Sequence, residues 1–281
     1  MGSGNDMKWS QKAWLELVAI GVGVAVSGPL YLLIINSFKS HAEILRTPLA
    51  FPGMSVGFDN VYRAVSAMNI GRAYGTSALI GFVSVLIAIS VSALAGYAIA
   101  RLEHPLFRVM YWVFLAGILV PLPSLIIPLV FVLKSLGLGN TLIGISLAYA
   151  AVISPFAIFV YSGFFRTIPR ELEEAAFIDG CSPVRVFFQI VLPLMRPVTA
   201  TLTILQFIYV WSDILFPLVL VSSNDLPTVG IALWKFFGSR GRTDLSLLFG
   251  GSILVLVPVL VLFFSFQRYF VKGLVAGALK G

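Results

Sequence analysis

The run Glu174-Ala175-Ala176-Phe177-Ile178-Asp179-Gly180, continuing to Ile190-Val191-Leu192-Pro193, lies in the longest charged interruption of an otherwise apolar chain. Arg166, Arg170, Glu171, Glu173, Glu174, Asp179, Arg185 and Arg196 crowd into it, while the segments on either side carry almost no charge. Charge of this density cannot stay in hydrocarbon, so the stretch 166–196 must stand in water between two membrane spans. Its local chemistry reads as helix, break, helix. Pro169 suits a first helical turn, and Glu171, Glu173 and Glu174 fall at the positive end of the helix dipole. Ala175 and Ala176 favour helix and leave little bulk, so another surface can approach closely. Gly180 is a natural terminator, and Ser182-Pro183 offers a cap and a start for the next helix.

Working outward, the 281 residues are 59% hydrophobic and 11% charged, which excludes an ordinary soluble domain and makes this an integral membrane protein. Six segments reach the roughly 20 apolar residues that cross a bilayer. They lie near 13–37, 74–100, 109–133, 141–165, 197–221 and 246–267, after a short N-terminal stretch, 1–12. The second, third, fourth and sixth contain no Asp, Glu, Lys or Arg; the first has only Glu16 and the fifth only Asp213. They are apolar all round, which fits helices and not the alternation of a strand barrel. The first segment is too long for the core of a secretory signal and is read as a retained span. The termini then share one side. Eleven Lys and Arg fall on that side against eight on the other, which favours cytosolic termini.

The second span carries Ser84, Ala88, Ser92, Gly96 and Ala100, a stripe of small residues that lets another helix backbone come close. Pro121, Pro123 and Pro128 in the third span and Pro155 in the fourth each remove a helix hydrogen bond and invite a bend. Gly137-Leu138-Gly139-Asn140 is a turn, since no Gly-Lys-Ser/Thr completes a phosphate loop. The polar segment 38–73 is expected to form a lobe with short helices. The single cysteine, Cys181, excludes an internal disulfide, and the two histidines, His41 and His104, are far apart in sequence, so neither a metal site nor a catalytic triad can be argued. The net charge of +7 fits loops anchored at a membrane surface; it gives no concentrated basic face for nucleic acid.

The motif is specific beyond its chemistry. Glu-Ala-Ala, a glycine four residues on, Ile-x-Leu-Pro ten residues later, the preceding Ile168-Pro169-Arg170-Glu171-Leu172 and the following Pro197 together resemble the coupling loop of ABC importer permeases. Asn36-Ser37-Phe38-Lys39-Ser40 and Phe58-Asp59-Asn60-Val61-Tyr62 resemble the same region of the carbohydrate-uptake members, and the resemblance runs from about residue 30 to the end. It implies an all-α type I permease fold: six transmembrane helices over 13–270, a cytosolic coupling helix and a cytosolic tail, 271–281. It also implies a partner set: a second homologous permease, an ATPase dimer carrying ATP and Mg, an external solute-binding protein and a carbohydrate to be moved. No Walker-type loop occurs in this chain, so ATP hydrolysis is assigned to the partner and no catalytic or metal-binding residue to this chain. Glu174, Ala175, Ala176, Asp179, Gly180 and Pro193 are the implied coupling residues. Glu174 would make a charged contact to the ATPase, Ala175 and Ala176 a close fit, and Asp179 either a contact or an internal brace. The ending Gly273-Leu274-x-x-Gly277-x-x-Lys280-Gly281 is similar to that of maltose-importer permeases and implies a second contact with the ATPase.

The fifth span holds Tyr209, Trp211, Ser212 and Asp213, where the resembled family carries Trp-Asn-acid; Ser212 replaces the Asn. These four are the candidate translocation-path residues. A carboxylate inside a span costs about 2.5–3.5 kcal/mol on insertion scales, so Asp213 must face protein or water, either touching a sugar hydroxyl or pairing with a neighbouring helix. Trp211 would stack on a sugar or anchor at the interface. The rival reading is a secondary carrier on an ion gradient, which would need buried ionisable groups in several spans. An intramembrane enzyme would need a paired catalytic constellation, and none is present in the spans.

Overall fold

The computed structural model describes residues 9–53, 57–221, 225–238 and 243–278, with side chains at 9–11, 13 and 268–278 left undescribed. It is all helical among these residues: α1 Trp9–Ser37, α2 His41–Arg46, α3 Asp59–Ala67, α4 Ile70–Arg101, α5 Pro105–Ile118, α6 Leu122–Ser135 and α7 Leu142–Phe165. There follow α8 Glu171–Ile178, α9 Pro183–Val186, a π-helical turn at Phe187–Val191, α10 Leu192–Leu194, α11 Arg196–Ser212, α12 Leu215–Leu220, α13 Val229–Trp234 and α14 Leu245–Ala278. Among the described residues four helices are long and apolar enough to cross a bilayer, and up to six spans result if two bent pairs each count as one.

The bent pairs correct the sequence reading. The third predicted span is no single rod: α5 and α6 meet at 111°. Leu119 and Val120 close the last turn of α5, and Pro121 has no N–H with which to carry it on. The fifth predicted span, 197–221, ends its helix at Ser212; Asp213 is extended and the short α12 follows. The π-helical turn precedes a 73° bend into α11, where Pro193 and Pro197 both lack N–H donors. At the C-terminal end α14 runs on as helix to Ala278, through most of the predicted tail.

By internal contacts the chain divides into two units: Met1–Ala67 with Phe236–Leu254, and Met68–Lys235 with Val255–Gly281. In the first, the two motifs of the 38–73 segment meet. Asn60 Nδ2 donates to Ser37 O (3.0 Å) and Lys39 O (2.9 Å), and the Phe38 and Phe58 rings pack edge to face at 5.2 Å. Lys39 is fully buried and its ammonium donates to Thr47 O at 2.8 Å. Gly250 lies against the Asn60 backbone, where a Cβ would come within 2.7 Å of Asn60 O. By contrast, little of α1 is covered: Trp14, Leu17, Ile20, Val24 and Val26 point outward, as a lipid-facing helix requires.

The second unit is built on α4 against α7. Ser84, Ala88 and Ser92 are fully buried, and Ser92 donates to Ser154 O at 3.3 Å. At Gly96 an added Cβ would sit 2.7 Å from Tyr161 Cβ and 3.1 Å from Ser162 N. The small-residue stripe is therefore the α4 side of a close backbone approach. Gly96→Leu is expected to lower stability by at least about 1–3 kcal/mol through overpacking. Gly163→Ala, where nothing lies within 4 Å, should be nearly silent. Thermal unfolding of the two variants in mild detergent checks the contrast.

Candidate functional site

The loop after α7 folds as its residues dictate. Pro169 falls just ahead of the cap residue Arg170, one step earlier than its predicted place in the first turn. The N–H groups of Glu173 and Glu174 both bond Arg170 O, starting α8. At the other end Gly180 takes φ +81°, its N–H bonds Phe177 O, and the Cys181 N–H bonds Ala176 O. This is a Schellman termination, which needs the left-handed residue that glycine supplies without strain. Ser182 Oγ then accepts from Arg185 N at 3.4 Å, with Pro183 in the first turn of α9.

α8 has two faces. Glu173 and Ala176, three residues apart, point inward. Ala176 packs in the cluster of Phe165, Val186 and Phe187 and is 6% exposed, so of the two alanines assigned to a close external fit only Ala175 is available. Outward point Glu174 and Asp179 and three large apolar side chains: Leu172, Phe177 and, at 87% exposure, Ile178. Pro193 is half-buried at the π-to-α junction and shapes the bend into α11.

Sequence reading passed over Glu173. Its carboxylate is nearly buried and receives Arg101 Nε and Nη2, both at 2.6 Å from Oε1, and the Tyr97 hydroxyl at 2.6 Å from Oε2. Arg101 Nη2 also donates to Ile168 O at 2.9 Å. The signal was present in the spacing of Glu173 and Ala176 on one helical face. Three acids within four residues, Glu171, Glu173 and Glu174, made any of them look equally solvated.

A second feature lies in the angle between α5 and α6, closed by α7 and α11. It is a groove of about 760 Å³ whose walls include Val120, Pro128, Val152, Pro155, Gln206 and Tyr209. The wall is mostly apolar, with Gln206 and Tyr209 its polar side chains. Gln206, 4% exposed, donates Nε2 to Ile153 O at 3.1 Å and leaves Oε1 without a partner. Pro155 has no N–H for the Ala151 carbonyl one turn earlier, and Ala151 lines the same groove.

Of the four candidate path residues, only Tyr209 lines the groove. Trp211 is 4% exposed, lies beside Tyr74 and Phe207, and donates Nε1 to Val255 O at 3.1 Å, so it is neither an interface anchor nor an open stacking face. Ser212 Oγ bonds back to Ile208 O at 2.8 Å. Asp213 ends α11 and turns its carboxylate onto three donors: the Tyr149 hydroxyl (2.7 Å) and the N–H groups of Leu215 and Phe216 (3.1 Å each). Gly230 of α13 presses on the same point, where a Cβ would lie 2.5 Å from Asp213 O. Of the tail residues, Gly273, Leu274 and Gly277 lie in α14 with side chains undescribed, while Lys280 and Gly281 lie outside the described residues.

Described residues that are all helical, with bent spans, a short charged helix between two of them and a mainly apolar groove, fit a membrane permease subunit. The sequence comparisons are more specific: residues 88–275 match the binding-protein-dependent transport system inner membrane component, and the chain belongs to that family of non-catalytic, multi-pass permeases. It is 31% identical to the probable starch degradation products transport system permease protein of Thermoanaerobacterium thermosulfurigenes, over 96% of this chain and 97% of that protein. It is 32% identical to the melibiose/raffinose/stachyose import permease protein of Bacillus subtilis, over 95% and 96%. The trehalose transport system permease protein of Mycobacterium tuberculosis is 34% identical, over 95% and 97%. In fold, the chain matches a subunit of a bacterial ABC transporter that imports alginate, with TM-score 0.79 and 19% identity over 94% of this chain and 99% of that one.

Replacing Asp213 by Ala would orphan the Tyr149 hydroxyl, itself buried, and two backbone N–H groups. The expected loss is about 1–3 kcal/mol, with Asp213→Asn losing less because it keeps one acceptor oxygen. Detergent-phase thermal unfolding distinguishes the two.

Proposed function

We propose that this chain is one of two permease subunits of an ATP-driven importer that moves a carbohydrate into the cell by alternating access. The observation that carries the reading is the shape of α8. One face is tied into the chain's own core, and the other offers Leu172, Phe177 and Ile178 to water. Exposed apolar groups on a short, braced helix are expensive to leave uncovered and mark a docking surface. The occupant is an ATPase subunit that binds ATP and Mg. In this reading the loop and both termini lie in the cytosol, the C-terminal residues 271–281 make a second contact with the ATPase, and a solute-binding protein delivers substrate from outside. Closure of the ATPase dimer pushes α8, and that differential contact lets ATP binding shift the permease between its two states.

The carbohydrate class is supported by the relatives, several of which are described as carriers of sugars or oligosaccharides. It is also supported by the groove. Its lining is mainly apolar, as the faces of sugar rings require, and Tyr209 supplies a ring face and a hydroxyl to it. Asp213 serves the fold: both of its carboxylate oxygens are engaged, by three donors in all.

Expressing the native operon with this chain tagged should yield a complex containing an ATPase and a second permease. Ile178→Asp should release the ATPase while the chain stays in the membrane. A chain that purifies alone from cells making the candidate partners overturns the importer. For the path, Tyr209→Cys in a Cys181→Ala background should react with a charged, membrane-impermeant thiosulfonate. The rate should change about tenfold or more between nucleotide-free and vanadate-trapped complex, the population shift expected of a two-state path. No reaction in either state, or equal rates, removes the groove from the path.

A further inference from the structure

We propose that Arg101, Glu173 and Tyr97 form the joint through which displacement of α8 is passed to α4, and that Arg101 and Glu173 are positioning residues for energy coupling. The inference rests on the reading of α8 as the helix an ATPase pushes; nothing in that reading requires this joint.

α8 is eight residues long, about 12 Å. It is entered from Pro169 and left through the left-handed turn at Gly180, so its ends are weak levers. Its inward face offers two attachments, Ala176 and Glu173. Ala176 alone is a small apolar contact about which a short helix could roll. Glu173, one turn away on the same face, supplies the second point that stops the roll. The tie is directional. Arg101 places Nε and Nη2 on one carboxylate oxygen, Tyr97 takes the other, and Nη2 reaches back to Ile168 O at the entrance of the loop. One guanidinium therefore grips both the helix and the strand of chain that feeds it. The side chains of Arg101 and Glu173 are 9% and 7% exposed, so water competes poorly for these bonds.

The place of Arg101 decides where the load goes. It is the last residue of α4, and Tyr97 lies one turn before it. Along the next turns of that helix come Gly96 and Ser92, the residues at which α4 and α7 meet at backbone distance. A displacement delivered at Glu173 therefore enters a rigid, closely packed pair and not a loop. By contrast the neighbouring pair of Arg170 and Glu103 is solvent-exposed at 53% and 83%, and makes no such link.

Spin labels on Glu171→Cys and Leu94→Cys, in the Cys181→Ala chain within the whole reconstituted complex, measure the distance from α8 to α4 with and without vanadate-trapped nucleotide. With the joint intact the distance should be the same in both states to within about 2 Å, the scale of small helix shifts. Glu173→Gln should make it differ between the states by more than that, while the ATPase still co-purifies and still hydrolyses ATP. Tyr97→Phe, which removes one hydrogen bond at nearly constant volume, should act in the same direction and more weakly, and serves if Glu173→Gln fails to fold. A distance that changes with state in the unaltered chain overturns the proposal. So does one that stays constant in both variants, or release of the ATPase by both variants. Absence of any ATPase from the unaltered complex is a separate result, and it removes the coupling reading itself.

Discussion

Everything in the second unit depends on how closely α4 can approach α7. At Gly96 there is no room even for a methyl group, and at Ser84, Ala88 and Ser92 the side chains are small and wholly covered. In a bilayer, lipid tails are as apolar as leucine, so helices gain little by hiding leucine from them. What favours association is close packing together with the few hydrogen bonds that cross between helices. Ser92 to Ser154 O and Tyr161 to Thr199 Oγ1 are of that kind. The first ties α4 to α7 and the second α7 to α11, and the α4–α7 pair is the frame on which the bent elements hang.

Those bent elements illustrate the opposing constraint. A backbone in hydrocarbon must satisfy its own polar groups, and this chain breaks its helices where other protein groups stand in. Where α11 stops, the Asp213 carboxylate takes over two N–H groups of the next turn and a tyrosine hydroxyl. Thr228 Oγ1 accepts the Ile231 N–H as α13 begins, and Ser77 Oγ accepts the Val229 N–H. Three buried side-chain atoms among the described residues, Asn36 Oδ1, Ser146 Oγ and Gln206 Oε1, lack a partner, and the last belongs to a residue that lines the groove.

The coupling loop combines both constraints in water. A tight glycine turn and a proline entry shape α8, a buried ion pair orients it, and the apolar residues left over face outward. Breaking one partner of such a buried pair generally costs about 3–5 kcal/mol, because the remaining charge is stranded. Glu173 and Glu174 are adjacent and chemically identical, yet one is a structural tie and the other a solvent-facing group. The difference is the 100° that separates successive side chains on a helix.

By itself the sequence determined the membrane class, the helical nature of the spans and the helix–break–helix form of the loop. Hydrophobic length, charge density and the conformational limits of glycine and proline act locally and need no partner. The small-residue stripe on α4 was legible for the same reason, since its spacing follows from helix geometry alone. Only the tertiary structure decided which groups those local features would meet. It turned Ala176 and Glu173 inward, sent Trp211 to the Val255 carbonyl instead of a groove, and consumed Asp213 in capping. It also folded the third apolar run into two helices and so opened the angle that Gln206 faces. A proline announces that a helix bond will be lost. The direction of the bend and the identity of what fills it depend on residues remote in sequence, through contacts that no local pattern encodes.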